Sequence, residues 1–308
     1  PTLIATTSDF NGSATFDDFS PRVSVSYKPT DNSNIYATYS QGFKGGSFDP
    51  RGQTTAAPDL DLNGTVSDQE IFEFMQFDPE EVDSYEVGYK GSHNGGDLTY
   101  SIAGFYSDYK DIQVPGSVGV DTDNDGINNT FTGVTTNAGA ATIWGVEFEG
   151  NAMLAEQVFN ESDLFNLGWS IGYVDAQYDE YIDAFGNDVS NQRVIQNTPD
   201  WTASGRLSYD TPLTILENNG RLLINTLVSY RGDSSQFEAP NPFLDQEAFT
   251  LIDAGLRWET EGGRWGFSLN GKNLTDERYI VAGYNFVTIN PNGTFTPTLG
   301  LEGTLTAF

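Results

Sequence analysis

The sequence predicts an all-β protein, an antiparallel up-and-down transmembrane β-barrel, and three observations predict it. Alternation of apolar and polar residues with period two recurs about ten times along the chain, the pattern of strands whose two faces meet different surroundings. The connections between these runs alternate between short and long. No apolar run approaches the roughly 18 residues that a membrane-spanning helix requires, so this chain can cross a bilayer only as strands closed into a barrel.

The first run sets Val23, Val25 and Tyr27 against Arg22, Ser24 and Ser26. Tyr85, Val87 and Tyr89 then oppose Ser84, Glu86 and Lys90, and Trp144, Val146 and Phe148 oppose Gly145, Glu147 and Glu149. Leu167, Trp169, Ile171 and Tyr173 face away from Asn166, Gly168, Ser170 and Gly172. Ile252, Ala254, Leu256 and Trp258 oppose Asp253, Gly255 and Arg257, and Trp265, Phe267 and Leu269 oppose Arg264, Ser268 and Asn270.

Connections near 29–33, 91–96, 153–163, 210–219 and 260–263 are short or moderate and rich in Pro, Asn, Asp and Gly. Those at 46–79, 115–136, 182–196, 235–248 and 280–308 are long and carry much of the acid. Short turns at one rim and long loops at the other describe an outer-membrane barrel with periplasmic turns and external loops. On the apolar face near the short turns stand Tyr27, Tyr89, Phe148, Tyr209, Trp258 and Trp265, which read as an aromatic girdle at the headgroup level. The opposite face holds Arg22, Glu86, Lys90, Glu147, Glu149, Arg206, Asp253, Arg257 and Lys272. In lipid the basic residues would each cost roughly 2 to 4 kcal/mol near the midplane, so this face belongs to the lumen. Phe267→Arg is therefore expected to block assembly and Ser268→Arg to be tolerated, since a one-residue slip of register exchanges the faces.

Composition narrows the function. The 308 residues hold 14 Lys and Arg against 44 Asp and Glu, a formal charge of −30, which repels nucleic acid. Such charge can accompany disorder, but 21 Phe, 15 Tyr and 5 Trp are too many aromatics for a solvated tail. The mean hydropathy of −0.39 does not oppose a barrel, whose strands offer only every second residue to lipid. Absence of Cys removes disulfides and thiolate metal sites. Residue 1 does not look like a native start and no signal peptide follows it, so the chain is read as a fragment.

Four stretches, in the expected order, resemble the TonB-dependent receptor family: IYATYSQGFKGGSF at Ile35 to Phe48, FDPEEVDSYEVGYK at Phe77 to Lys90, NAGAATIWGVEFEG at Asn137 to Gly150, and SLNGKNLTDERY at Ser268 to Tyr279. The resemblance implies a barrel of 22 strands filled by an amino-terminal plug. Residues 1–308 would then be a partial barrel domain of about ten strands, with the plug and the last strand absent. Phe308 is read as the end of a loop, since Thr304 and Thr306 carry no apolar alternation into it. The resemblance further implies uptake of a scarce ligand driven by TonB, with ExbB and ExbD, through the absent amino-terminal region.

Candidate site residues are few. Phe43, Lys44 and Phe48 stand where a strand opens into a loop and are candidate ligand contacts, with rim packing as the competing reading. Asp121, Asp123, Asp125 and Gly126 open like a calcium loop, but the twelfth place is Thr132 where a bidentate Glu belongs. A solvated acidic turn is the stronger reading there, and a loop Ca²⁺ the weaker; no cofactor is otherwise required. His93 lies in a Gly-rich turn and reads as a surface residue, and the pair Glu80 and Glu81 as solvent-facing charge. No nucleophile arrangement or phosphate loop suggests an enzyme.

The leading function is thus active uptake across the outer membrane of a Gram-negative bacterium. A ferric siderophore is the first candidate ligand, while cobalamin, haem or an oligosaccharide stay open. Acidic loops also suit divalent ions bridging to lipopolysaccharide. A passive porin and a soluble β-sandwich adhesin are the alternatives.

Overall fold

The computed structural model describes residues 10–61, 63–120, 130–137, 139–183, 187–283, 287–289 and 295–297. Ten strands form one sheet: β1 (Arg22–Thr30), β2 (Ser33–Lys44), β3 (Glu80–His93), β4 (Leu98–Lys110), β5 (Gly139–Glu156), β6 (Leu164–Tyr181), β7 (Trp201–Pro212), β8 (Gly220–Arg231), β9 (Phe249–Thr260) and β10 (Gly266–Gly271). Every strand pairs antiparallel with its neighbours in sequence, and β1 and β10 are the two edges. The sheet is up-and-down and open, an arc of barrel wall.

The registers align the faces across all ten strands. Tyr27 pairs with Ile35, Ile35 with Tyr89, Tyr89 with Ile102 and Ile102 with Phe148. Further along, Ile171 pairs with Ala203, Val228 with Ile252, and Trp258 with Phe267. The apolar face is uncovered: Val25 is 66% exposed, Val87 61% and Phe267 61%. A sandwich would bury such a face beneath a second sheet, and among the described residues no sheet lies over it. This removes the soluble adhesin reading, because so much contiguous apolar surface belongs against lipid.

A second aromatic belt appears toward the long loops. Tyr39 stands 5.2 Å from Tyr85, Tyr85 6.4 Å from Tyr106, Trp144 5.5 Å from Tyr173, and Tyr173 4.8 Å from Trp201. On β7 the outward run from Trp201 to Tyr209 covers eight residue steps, about 26 Å at roughly 3.3 Å per residue. That length matches the roughly 25 Å apolar band of outer-membrane barrels. Between the belts the described outward positions carry no charge. Charge returns just beyond the loop-side belt, at Asp83 after Tyr85, Asp108 after Tyr106 and Asp175 after Tyr173.

The short turns follow the local chemistry. After β3, Asn94, Gly95 and Gly96 all take positive φ, which the two glycines adopt without a Cβ clash. Trp258 departs from its expected role as an exposed girdle ring. It is 8% exposed, and its indole N–H donates to the Leu213 carbonyl at 2.8 Å, so the β7–β8 turn folds over it. The loops at 46–79 and 115–136 also hold regular structure. The first contains helix α1 (Asp68–Met75) and a short pairing of Ser47–Phe48 with Gln76–Phe77, and the second a hairpin of Gln113–Val120 with Thr130–Asn137.

Asp163 organises the β5–β6 turn and is 1% exposed. Its carboxylate accepts the backbone N–H of Val158 at 2.7 Å and of Phe159 at 2.8 Å, and the Tyr209 hydroxyl at 3.0 Å. Burial pushes its pKa up, but these donors outweigh burial and hold it below the usual carboxylate range. A depressed folded-state pKa stabilises the fold above the unfolded value of about 3.9 and loses that contribution as pH falls toward the folded value. Asp163→Asn is accordingly expected to lower the thermal midpoint at pH 7 by a few degrees, and to flatten its fall below about pH 4. Circular dichroism of the detergent-solubilised barrel across pH 3 to 7 checks both.

Candidate functional site

The inward face is polar, hydrogen-bonded and charged with both signs. Tyr36 donates its hydroxyl to Glu86 at 2.6 Å, and the Lys90 ammonium lies 5.6 Å from the Tyr36 ring centre. Ser101 donates to Glu149 at 2.9 Å, and the Ser84 and Ser107 hydroxyls hydrogen-bond across β3 and β4 at 3.0 Å. Arg22, Asn34, Tyr36, Glu86 and Lys90 line a groove of about 630 Å³ along this wall. Arg206 and Arg231 share the face further round, and Arg221 holds Asp210 at 2.8 Å. Arg22, Glu86, Lys90, Glu147, Glu149, Arg206, Asp253 and Arg257 share the inward face, as alternation predicts, and Lys272 lies just beyond the end of β10.

Above the groove three of the family-like segments meet. Asn137 is the joint: its amide N–H groups donate to the carbonyls of Asp78 and Asp111, both at 2.8 Å, while its side-chain oxygen accepts the Asp78 N–H at 2.7 Å. Gln113 extends the joint, donating to the carbonyls of Gly45 and Asp78 at 3.0 Å each. Glu80 is not the solvated charge expected from sequence. Its side chain is 16% exposed, it pairs with Lys44 at 3.3 Å and it accepts the Gln113 N–H at 3.0 Å.

The buried carboxylate of Asp49, paired with the half-exposed Arg51, pins the β2–β3 loop to the neighbouring hairpin through Thr135. Asp49, 2% exposed, takes the Arg51 guanidinium at 2.7 and 3.1 Å and the Thr135 hydroxyl at 2.8 Å. Burial raises the Asp49 pKa, but the Arg51 and Thr135 hydrogen bonds prevail and keep its carboxyl below the ordinary value.

The candidate contacts Phe43, Lys44 and Phe48 do not converge. Phe43 falls on the outward parity of β2 and Lys44 on the inward one, where it pairs with Glu80. Phe48 joins an aromatic cluster, 5.0 Å from Phe10 and 5.2 Å from Phe72 of α1, so rim packing describes it. His93 is exposed and stacks on Tyr100 at 5.8 Å. Asp121, Asp123 and Asp125 lie outside the described residues. Alternation gave no reason to single out Asp59, Asp61 and Glu70, whose carboxylates gather in the β2–β3 loop. Their signal in the sequence is a twelve-residue spacing, not a face.

The comparisons agree with this geometry. The family model described as TonB dependent receptor-like, beta-barrel, matches residues 4–274. The metal-pseudopaline receptor CntO of Pseudomonas aeruginosa is 26% identical over 274 residues, 88% of this chain and 31% of that receptor. Among solved structures, the ferric yersiniabactin uptake receptor FyuA from Yersinia pestis superposes with a TM-score of 0.58 at 21% identity, over 85% of this chain and 33% of its own. BauA, the ferric preacinetobactin receptor from Acinetobacter baumannii, gives 0.56 at 18% identity, over 90% and 34%. The chain thus spans about a third of the length of these relatives. With an uncharged belt outside, a polar wall inside and a family match over most of its length, the chain belongs to the TonB-dependent receptors and is part of their β-barrel in the Gram-negative outer membrane.

Proposed function

We propose that the chain is the carboxyl-terminal part of the barrel of an active importer, and that its cargo is a metal chelate of the ferric-siderophore type. The observation that carries this reading is the two-sided wall: a band of outward apolar residues bounded by aromatics, backed by an inward face bearing Arg22, Lys90, Arg206 and Arg231 among hydroxyls and carboxylates. Cations on that face suit chelates whose metal is held by anionic oxygens, despite the −30 formal charge of the whole chain. The named relatives support the class, being receptors for metal-pseudopaline, ferric yersiniabactin and ferric preacinetobactin. Energy comes from TonB, with ExbB and ExbD, acting on the plug that the family places inside the barrel.

The test uses the full-length gene product in iron-limited cells offered a panel of ferric siderophores. Uptake is expected to fall to background when TonB is deleted. Uptake of small solutes that continues unchanged without TonB would instead assign a passive porin.

A further inference from the structure

The β2–β3 loop holds a complete cation-binding spacing. Asp59, Asp61 and Asn63 occupy the first, third and fifth places of a twelve-residue segment, Gly64 the sixth, and Glu70 the twelfth. Asp-x-Asp-x-Asn-Gly followed at the twelfth place by Glu is the order in which a chain wraps oxygen ligands around Ca²⁺. The seventh place, Thr65, lends a backbone carbonyl in such loops, and the ninth, Ser67, a hydroxyl directly or through water.

The fold places these residues as that chemistry needs. Oxygens of Asp59, Asp61 and Glu70 lie within 4.8 Å of one another. Gly64 has φ of +90°, the sharp turn for which the sixth place uses glycine. Helix α1 starts at Asp68, the tenth place, so Glu70 projects from its first turn, as the twelfth-place ligand does from an exiting helix. Glu70 is 7% exposed and held by the backbone N–H of Leu60 at 2.6 Å and of Ser67 at 2.7 Å. Among the described residues none of the three carboxylates has a Lys or Arg ion pair. N–H donors within the loop orient the carboxylates, Gly64 to Asp59 at 2.7 Å and Asn63 to Asp61 at 2.7 Å, but with no protein cation among them the three negative charges repel, and a bound cation would remove that repulsion. The sequence spacing and the convergence in space are separate observations, and both point to a hard cation.

We propose that residues 59–70 bind Ca²⁺, with Asp59, Asp61, Asn63 and Glu70 as side-chain ligands, and that the ion braces the loop above the lumen. Calcium suits this ring better than magnesium, since flexible coordination by six to eight oxygens tolerates a loop where magnesium demands near-octahedral geometry. The brace reaches the rim through α1: Phe72, two residues after Glu70, packs on Phe48 at 5.2 Å, and Gln76 and Phe77, which directly follow Met75 at the end of α1, pair with Phe48 and Ser47.

The experiment takes the intact receptor in detergent, stripped with chelator, and titrates calcium chloride or magnesium chloride by calorimetry while amide exchange is followed over 59–76. Calcium, and not magnesium at equal concentration, is expected to slow exchange there in the wild type. Glu70→Gln and Asp59→Asn are each expected to weaken the site roughly tenfold or more, with heat-modifiable gel migration reporting that the barrel still folds. The double variant D121N/D123N is expected to keep the site. No calcium effect on 59–76 in the wild type, equal binding in Glu70→Gln, or loss of binding in D121N/D123N would overturn the proposal.

Discussion

Val228→Arg is expected to prevent assembly of the barrel, while Ser229→Arg, one residue on, assembles. Val228 is 40% exposed on the outward face and pairs with Gly205, midway between Trp201 and Tyr209 on β7, and with Ile252 on β9. At the midplane an arginine costs about 2 to 4 kcal/mol, and the lower figure alone shifts a folding equilibrium about thirtyfold. Ser229 faces inward between Ser204 and Leu251, and the nearest cation on its own strand, Arg231, is engaged with the Asn197 carbonyl at 2.9 Å. The structure also ranks Phe267→Arg lower than sequence suggested. Phe267 pairs with Trp258 at the turn-side edge of the band, where the same charge costs only about 0 to 1 kcal/mol. Outer-membrane fractionation and heat-modifiable migration of the full-length variants measure this; equal assembly of the 228 and 229 variants would mean that the faces are assigned wrongly.

Asn137→Asp is expected to loosen the loop joint without affecting the barrel. Asn137 is the first residue of the Asn-Ala-Gly stretch, and its amide serves two carbonyls and one N–H at once. A carboxylate keeps the acceptor but turns its second oxygen toward the Asp78 and Asp111 carbonyls: Asp111 loses its side-chain donor, and Asp78 keeps only Gln113. Asp78 and Asp111 are exposed, so water partly replaces the lost donor and the cost is that of an ordinary hydrogen bond, about 0.5 to 1.5 kcal/mol. It should appear as faster amide exchange in 77–81 and 111–114, with assembly at the wild-type level. Unchanged exchange there would show that water replaces the side chain freely.

The candidate site was less legible than the barrel, for reasons visible in particular residues. Phe43, Lys44 and Phe48 are close in sequence, but the pleat sends Phe43 and Lys44 to opposite faces, and Phe48 leaves the strand to meet Phe10 and Phe72. Glu80 looked like free charge because its partners, Lys44 and Gln113, lie dozens of residues away. The calcium-like spacing opens at 121–126 with Asp-x-Asp-x-Asp-Gly but lacks the twelfth-place Glu, whereas 59–70 carries it. What distinguishes a ligand set from scattered acid is convergence, and convergence needs the Gly64 turn and the start of α1 together.

By itself the sequence determined the strands, their two faces and the turn-side girdle apart from Trp258, because alternation is local: each residue's side of the sheet follows from its neighbours two positions away. It likewise determined which rim carries the long loops. Only the tertiary structure decided the register, and with it the loop-side belt, in which Tyr39, Tyr85, Tyr106, Trp144, Tyr173 and Trp201 come from six different strands. It also decided that Asp49, Glu80 and Asn137 bind the loops to one another. Those partners are set by backbone pairing and burial between distant segments, quantities that no local pattern of residue types encodes.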